Sequence, residues 1–231
     1  MKIIILAAGI GSRLKGVGSP KALTRLDNGQ SILEFQLEQI ARYGSISDVI
    51  VVVGYKQDEI RNAFPQLRYV ENPDFAKENT SKSLLRAIQD VDQEILWLNG
   101  DVVFHHHVLR SVFERRVNSM VVNLAIVGEE EVKYRTDGVG QILEVSKQVQ
   151  MAEGEAVGIN FFSHADLPLL KQALQECVDH DYFEKAVEIC IQKGCKIWAI
   201  AIDKPDCIEI DFPEDLQKAN ALMKTWENSS F

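Results

Sequence analysis

The chain is poor in thiols, and the few it has show no pattern. Its four cysteines, Cys177, Cys190, Cys195 and Cys207, form no C-x-x-C pair and all fall in the last third of the 231 residues. That spacing excludes a disulfide frame or a zinc ribbon and reads as reduced thiols of a cytoplasmic protein. Basic charge is also in short supply: 25 Lys and Arg against 34 Asp and Glu leave a net charge of −9. Binding to a phosphate backbone needs a basic footprint, so a general nucleic-acid binder is excluded, while a local anion site is not. No apolar run approaches the ~20 residues that span a bilayer, so no membrane partner is expected. Residues 1–11, MKIIILAAGIG, lack the longer apolar core and small-residue cleavage site of a signal peptide, and read as a strand. There is no internal repeat, low-complexity tract or linker. With 46% apolar residues, enough for a real core, one domain over 1–231 is expected.

What is present is alternation. Continuously apolar runs, KIIILA (2–7), DVIVVVGY (48–55) and EILWLNGD (94–101), are separated by amphipathic segments such as SILEFQLEQIARYG (31–44) and TSKSLLRAIQDV (80–91). Strands buried on both faces look like this, and β-α-β alternation implies a largely parallel sheet with helices on both sides. The second half is less regular. Asp137-Gly138 marks a hairpin, AVGINFF and CKIWAIAI read as strands, and PEDLQKANALMKTW is a final helix with Pro213 in its first turn. The fold class expected is α/β: a Rossmann-like, mostly parallel mixed sheet flanked by helices. A small β-hairpin and helical elaboration sits in the C-terminal half.

The first strand runs into a Gly-rich, basic loop, ILAAGIGSRLKGVGSPKAL (5–23). Backbone N–H groups can approach a phosphate closely where no side chain intervenes. Two common phosphate loops fail here. The dinucleotide fingerprint G-x-G-x-x-G has Leu14 where its third Gly belongs, and the P-loop pattern has Val17 where its Lys belongs. Neither a dehydrogenase nor a Walker-type ATPase is favoured.

LAAGIGSRL followed by PKAL resembles the signature of nucleotidyltransferases that join an NTP to a phosphorylated acceptor and release pyrophosphate. These have a glycosyltransferase-A-like fold of the nucleotide-diphospho-sugar transferase type. The short gap between Arg13 and Lys21 is most similar to inositol-1-phosphate cytidylyltransferases and molybdopterin nucleotidyltransferases. The resemblance implies that Leu6, Ala7, Ala8, Gly9, Gly11, Ser12 and Arg13 form the nucleotide loop, and that Arg13 and Lys21 contact the phosphates of NTP and acceptor. That role suits them, since a guanidinium offers a fixed donor fork and an ammonium a mobile point charge. It further implies that Asp101, in the family's x-G-D, and Asp211, in IEIDFPEDL, hold Mg²⁺. Phe212 stands where the family usually has Ser or Thr. The lesser alternative for Asp211 is an acid at a helix N-terminus. Residues 1–125 would mainly bind nucleotide, and 126–231 would mainly bind acceptor and supply the second metal ligand.

Sugar nucleotidyltransferases carry a Gly-rich motif where this chain has NTSKSL (79–84). That stretch, with Asn79 and Ser83, looks like the pattern of phosphocholine-type cytidylyltransferases. An Asn amide both donates and accepts, which suits the edge of cytosine; Asn79 or Thr80 also suits a helix N-cap. EGEAVGINFF (153–162) and YFEKAVEICI resemble the strand and helix beside the family's acceptor, which makes Glu155, Asn160 and Glu184 acceptor-site candidates. Next to Tyr182 and Phe183 they could hold a cationic head such as choline, an amine or hydroxyls. No general base is needed, because the acceptor phosphate is already an anion, and no Ser-His-Asp set is found. The three histidines at 105–107 sit too close along one element to face one site, so no metal is expected there.

The expectation is therefore a cytoplasmic, Mg²⁺-dependent cytidylyltransferase acting on CTP and a phosphorylated small alcohol or amino alcohol, for a cell-surface polymer or lipid precursor. A homodimer is compatible with it. The alternatives are a sugar-1-phosphate nucleotidyltransferase using UTP or another NTP, and an inactive nucleotide-sensing subunit. The second should have lost Arg13, Lys21 or a metal acid, and has lost none.

Overall fold

The computed structural model describes residues 1–11, 13, 14, 20–124, 128, 129 and 131–228. In chain order the elements are β1 (Lys2–Ala7), α1 (Ile32–Ala41), β2 (Val49–Val53), α2 (Gln57–Ala63), β3 (Arg68–Glu71), α3 (Thr80–Ile88), β4 (Ile95–Asn99) and β5 (Val102–Phe104). There follow α4 (His106–Arg115), β6 (Ser119–Asn123), β7 (Lys133–Thr136), β8 (Ile142–Ser146), β9 (Gly154–Phe162), α5 (Leu167–Glu176), α6 (Phe183–Gln192), β10 (Trp198–Ile202), β11 (Cys207–Glu209) and α7 (Pro213–Asn228).

The main sheet has the order β3-β2-β1-β4-β9-β6-β10. Strands β1, β2, β3 and β4 are parallel, as are β6 and β10, while β9 runs antiparallel to both β4 and β6. This is the mostly parallel mixed sheet flanked by helices that the alternation implies. Alternation along each strand sends side chains to two cores. Ile4, Val52, Trp97 and Met120 pack with α3, α5 and α6 on one face. Ile3, Ile5, Val51 and Leu98 pack with α1 and α4 on the other. The β7–β8 hairpin turns at Asp137-Gly138 and is closed by a hydrogen bond from Asp137 N–H to Gln141 C=O, with Gly138 at φ +85°. The run SMVVNLAIV (119–127) reads in sequence as one strand; β6 takes Ser119–Asn123 of it, and 125–127 lie outside the described residues.

One element, β5, escapes the sequence reading. It is three residues long, too short to show periodicity, and pairs antiparallel with β11, where CIEID (207–211) reads as a strand. The pairing places the chain entering α7 beside the end of β4. Gln36, fully buried on α1, donates through Nε2 to the carbonyls of Asn99 (2.8 Å) and Val102 (2.9 Å), clamping the turn that carries Asp101.

The three histidines serve α4. His105 caps it, His106 Nδ1 lies 2.6 Å from the Tyr43 hydroxyl, and His107 Nε2 lies 3.0 Å from the Asp206 carboxylate. All four cysteines are buried and unpaired. Among the described residues, no helix is long and apolar enough to cross a membrane.

Candidate active site

The carboxyl ends of β1 and β4 open into a cleft of about 1520 Å³. That exceeds the roughly 300–1,000 Å³ of a pocket for one small ligand and leaves room for two substrates side by side. Ligands of open α/β sheets bind at this edge.

The loop after β1 forms one wall. A side chain at Gly9 would meet nothing within 4 Å, so that stretch of backbone stands open to the cleft. Gly11 has φ +62°, and a Cβ there would come 3.0 Å from Lys21 Cβ. Only glycine takes that conformation cheaply and lets the loop lie directly on Lys21. Leu14, buried against Leu26, Ile210 and Met223, anchors the loop from below.

Lys21 begins a 3₁₀ turn (Lys21–Leu23) and reaches two acids from distant parts of the chain. Its Nζ lies 2.6 Å from Asp101 Oδ2 and 2.6 Å from Asp211 Oδ1. Burial alone would weaken the ammonium's hold on its proton. The charges and hydrogen bonds of the two aspartates outweigh it and raise the group well above an ordinary lysine. Arg13, half exposed, places Nη1 3.5 Å from Asp211 Oδ2.

Asp101 follows β4 and Asp211 follows β11. The Asp101 carbonyl accepts from Ile210 N–H at 3.0 Å, which ties the two segments together. Glu209 and Asp211 are two residues apart on extended chain and so point the same way. Carboxylate oxygens of Asp101, Glu209 and Asp211 all lie within 4.8 Å of one another. Glu209 is open to the cleft but crowded by protein. The negative charge of Asp101 first, and desolvation second, hold its carboxyl well above the usual range. Asp101 Oδ1 is buried with no hydrogen-bond partner among the described residues. Three hard oxygen donors with one lone pair unclaimed fit a small divalent cation.

Glu209 was missed in the sequence although it stands in the same quoted motif as Asp211; the i, i+2 spacing was the available signal. Asp211 turns its carboxylate to Lys21 rather than to α7. Asp215, in the first turn of α7, accepts through Oδ2 from the N–H groups of Asp211 (3.3 Å) and Phe212 (3.0 Å) just before the helix.

Of the expected nucleotide residues, Leu6, Ala7, Gly9, Gly11, Arg13 and Asn79 line the cleft. Ser12 lies outside the described residues. Ala8 is buried, its carbonyl accepting from Tyr55 N–H, and Ser83 is buried beneath the wall, 3.1 Å from Asn72 Nδ2. Asn79 caps α3 by accepting from Thr80 N–H at 2.8 Å, and its Nδ2 donates to the His180 carbonyl at 3.3 Å. Both ends of its amide therefore serve the fold, beside whatever it offers a base.

On the other side of the cleft, Glu155 accepts from Asn123 Nδ2 at 2.6 Å and Glu184 comes from the first turn of α6. Asn160 is not on the wall. It sits mid-strand in β9 between Trp97 of β4 and Met120 of β6, 1% exposed, because central strands bury their middle residues on both faces.

Burial raises the Glu184 carboxyl to about 7. A raised carboxyl binds its proton more tightly folded than unfolded, so stability falls as pH rises from about 4.5 to 7. Glu184→Gln removes the group that must ionise. The variant is expected to exceed the parent in stability by about 2–3 kcal/mol at pH 8 and to converge with it near pH 4.5. Urea titrations at the two pH values check this; a gap independent of pH would overturn the burial account.

A glycine loop shaped for phosphates, facing an acidic cluster across one sheet edge, defines a nucleotidyltransferase. The MobA-like NTP transferase domain matches residues 3–185, and the chain belongs to that family. Over 97% of its length it is 38% identical to the choline-phosphate cytidylyltransferase of Streptococcus pneumoniae, covering 99% of that protein. It is 27% identical, over 95% of its length, to the CMP-5'-(3-aminopropyl)phosphonate synthase of Streptomyces rubellomurinus. The chain spans 38% of that synthase and 52% of another curated relative that it matches. The solved inositol-1-phosphate CTP transferase from T. maritima shares the fold at a TM-score of 0.81, over 99% of this chain and 96% of that one, at 19% identity.

Proposed function

We propose that this nucleotidyltransferase moves CMP from CTP to the phosphate of a small alcohol or amino alcohol, with Mg²⁺ and release of pyrophosphate. The observation that carries the reading is Lys21 held between Asp101 and Asp211, with Glu209 alongside, at the mouth of the glycine loop. The names of the relatives, two for choline phosphate and inositol 1-phosphate and one for an aminoalkyl phosphonate, support a cytidylyl donor and a small phosphorylated or phosphonate acceptor.

An acceptor phosphate oxygen attacks the α-phosphorus, the bond to the bridging oxygen breaks, and pyrophosphate leaves. Two anions must approach, so the work is charge neutralisation and alignment. The open backbone at Gly9 and Gly11 cradles the triphosphate, Arg13 grips it from the half-exposed rim, and Lys21 stands between triphosphate and acceptor. Asp101, Glu209 and Asp211 would hold Mg²⁺, which when bound offsets charge on the phosphates. The acceptor phosphate needs no base to ionise it.

The test is pyrophosphate release by the purified chain with Mg²⁺, crossing the four common NTPs with phosphocholine, phosphoethanolamine, inositol phosphate and glucose 1-phosphate. Release with CTP and a non-sugar phosphate is expected. Release confined to UTP and glucose 1-phosphate would sink the cytidylyl reading.

A further inference from the structure

The face of the sheet beneath α6 carries polar atoms with nothing to bond. Trp97 Nε1, Asn99 Oδ1, both polar atoms of the Asn160 amide and Glu184 Oε2 are buried without a hydrogen-bond partner among the described residues. They belong together. Trp97 and Asn160 are opposite one another in the β4–β9 pairing, so their side chains share a face. Asn99 lies two residues on from Trp97 and projects to that same face. Gly158, two residues before Asn160, has φ +72°; a Cβ there would come within 2.6 Å of the Asn99 amide nitrogen. Phe183 stands edge-on to Trp97 with ring centroids 5.6 Å apart, which brings the next residue, Glu184, over the same patch.

Asn99, Gly158 and Glu184 line the cleft, and Trp97 Nε1 and Asn160 form the row beneath. Glu184 is 7% exposed. An unsatisfied buried polar atom costs stability, and proteins keep such atoms mainly where something else completes them. The aromatic side chains at this end do not make a cage. Tyr182 is 42% exposed with the Lys147 ammonium over its ring at 5.1 Å, and Phe183 is buried with its ring against Trp97.

We propose that this end of the cleft selects acceptors whose far end donates hydrogen bonds, an amine or a hydroxyl, over those ending in a trimethylammonium. Glu184 and Asn99 are the specificity-determining residues. Carboxylate and amide oxygens want N–H or O–H protons, and a quaternary ammonium has none to give. The proposal rests on the transfer reaction above for where the acceptor lies.

The experiment is calorimetric titration of the full chain with phosphoethanolamine, glycerol 3-phosphate and phosphocholine. These share a phosphate ester and differ at the far end in amine, hydroxyl or trimethylammonium. At least one protic probe is expected to bind about tenfold or more tighter than phosphocholine, as one added hydrogen bond provides. Glu184→Leu should bring the probes within about twofold of one another, whereas Glu184→Gln, which still accepts a hydrogen bond, should keep the preference. Phosphocholine binding as tightly as both protic probes overturns the proposal. So does a preference that survives Glu184→Leu, or no binding by either protic probe. The transfer reading is judged separately by the thermal shift that CTP with Mg²⁺ produces, so either can fail alone.

Discussion

Replacing Asp101 by Asn is expected to lower pyrophosphate release by about a thousandfold without unfolding the chain. Asp101 is the shared member of the site. It is ion-paired to Lys21 at 2.6 Å, keeps one oxygen uncommitted, and is the main cause of the raised Glu209 carboxyl. An Asn keeps the shape and can still accept from Lys21, but it removes the negative charge on which the cation site depends. Removing that charge also relieves the repulsion on Glu209, so the melting temperature should stay level or rise. Turnover and melting temperature measured together settle it. Activity within tenfold of the parent, in a folded protein, would remove Asp101 from the cation site.

Lys21→Ala should cost both activity and stability. In the parent, one ammonium stands among three carboxylates. Without it those carboxylates repel one another. Lys21, Asp101 and Asp211 side chains are 14%, 19% and 33% exposed, so solvent blunts the penalty below that of a fully buried pair. About 1–3 kcal/mol is expected. The sign with pH follows from the shifts. Lys21 is raised, so its contribution is fully present below the unfolded lysine pKa and is lost only above it; through the neutral range the deficit of the variant is flat. The deficit arises because three carboxylates within 4.8 Å of one another lose their counter-charge. Mg²⁺ should therefore raise the melting temperature of Lys21→Ala more than that of the parent. An equal Mg²⁺ shift in the two proteins would show that Lys21 is not the counter-charge of the carboxylates.

The parts of this site that were legible in the sequence are local or lie in one motif. The loop at 5–23 and Asp101 at the end of an apolar strand could be read because phosphate cradles and parallel strands impose their residue types over short spans. Asp211 was legible for the same reason, and Glu209 beside it needed only the two-residue period of extended chain. What could not be read depends on who lies next to whom. Gln36 looks like any polar residue on an amphipathic helix until its amide is seen on two carbonyls more than sixty residues away. Asn160 lies in a strand that resembles one beside an acceptor, but its depth is set by β4 and β6 on either side. CIEID reads as a strand, but its partner β5 is three residues long and carries no period, and it is their pairing that brings Asp211 to Lys21. The direction of β9 was equally silent, since an apolar run looks the same read either way.

That strand also sets the order in which the protein can be made. β9 (Gly154–Phe162) separates β4 from β6 in the sheet, yet both neighbours leave the ribosome first. Until residue 162 emerges, β4 has a bare edge of unpaired backbone N–H and C=O groups among mostly apolar side chains, the kind that pairs with other chains. The nascent chain must therefore carry an unfinished sheet through some forty residues of synthesis beyond β6. Closure comes by a late insertion between two strands already made, a long-range step of the kind that is slow and exposed to aggregation.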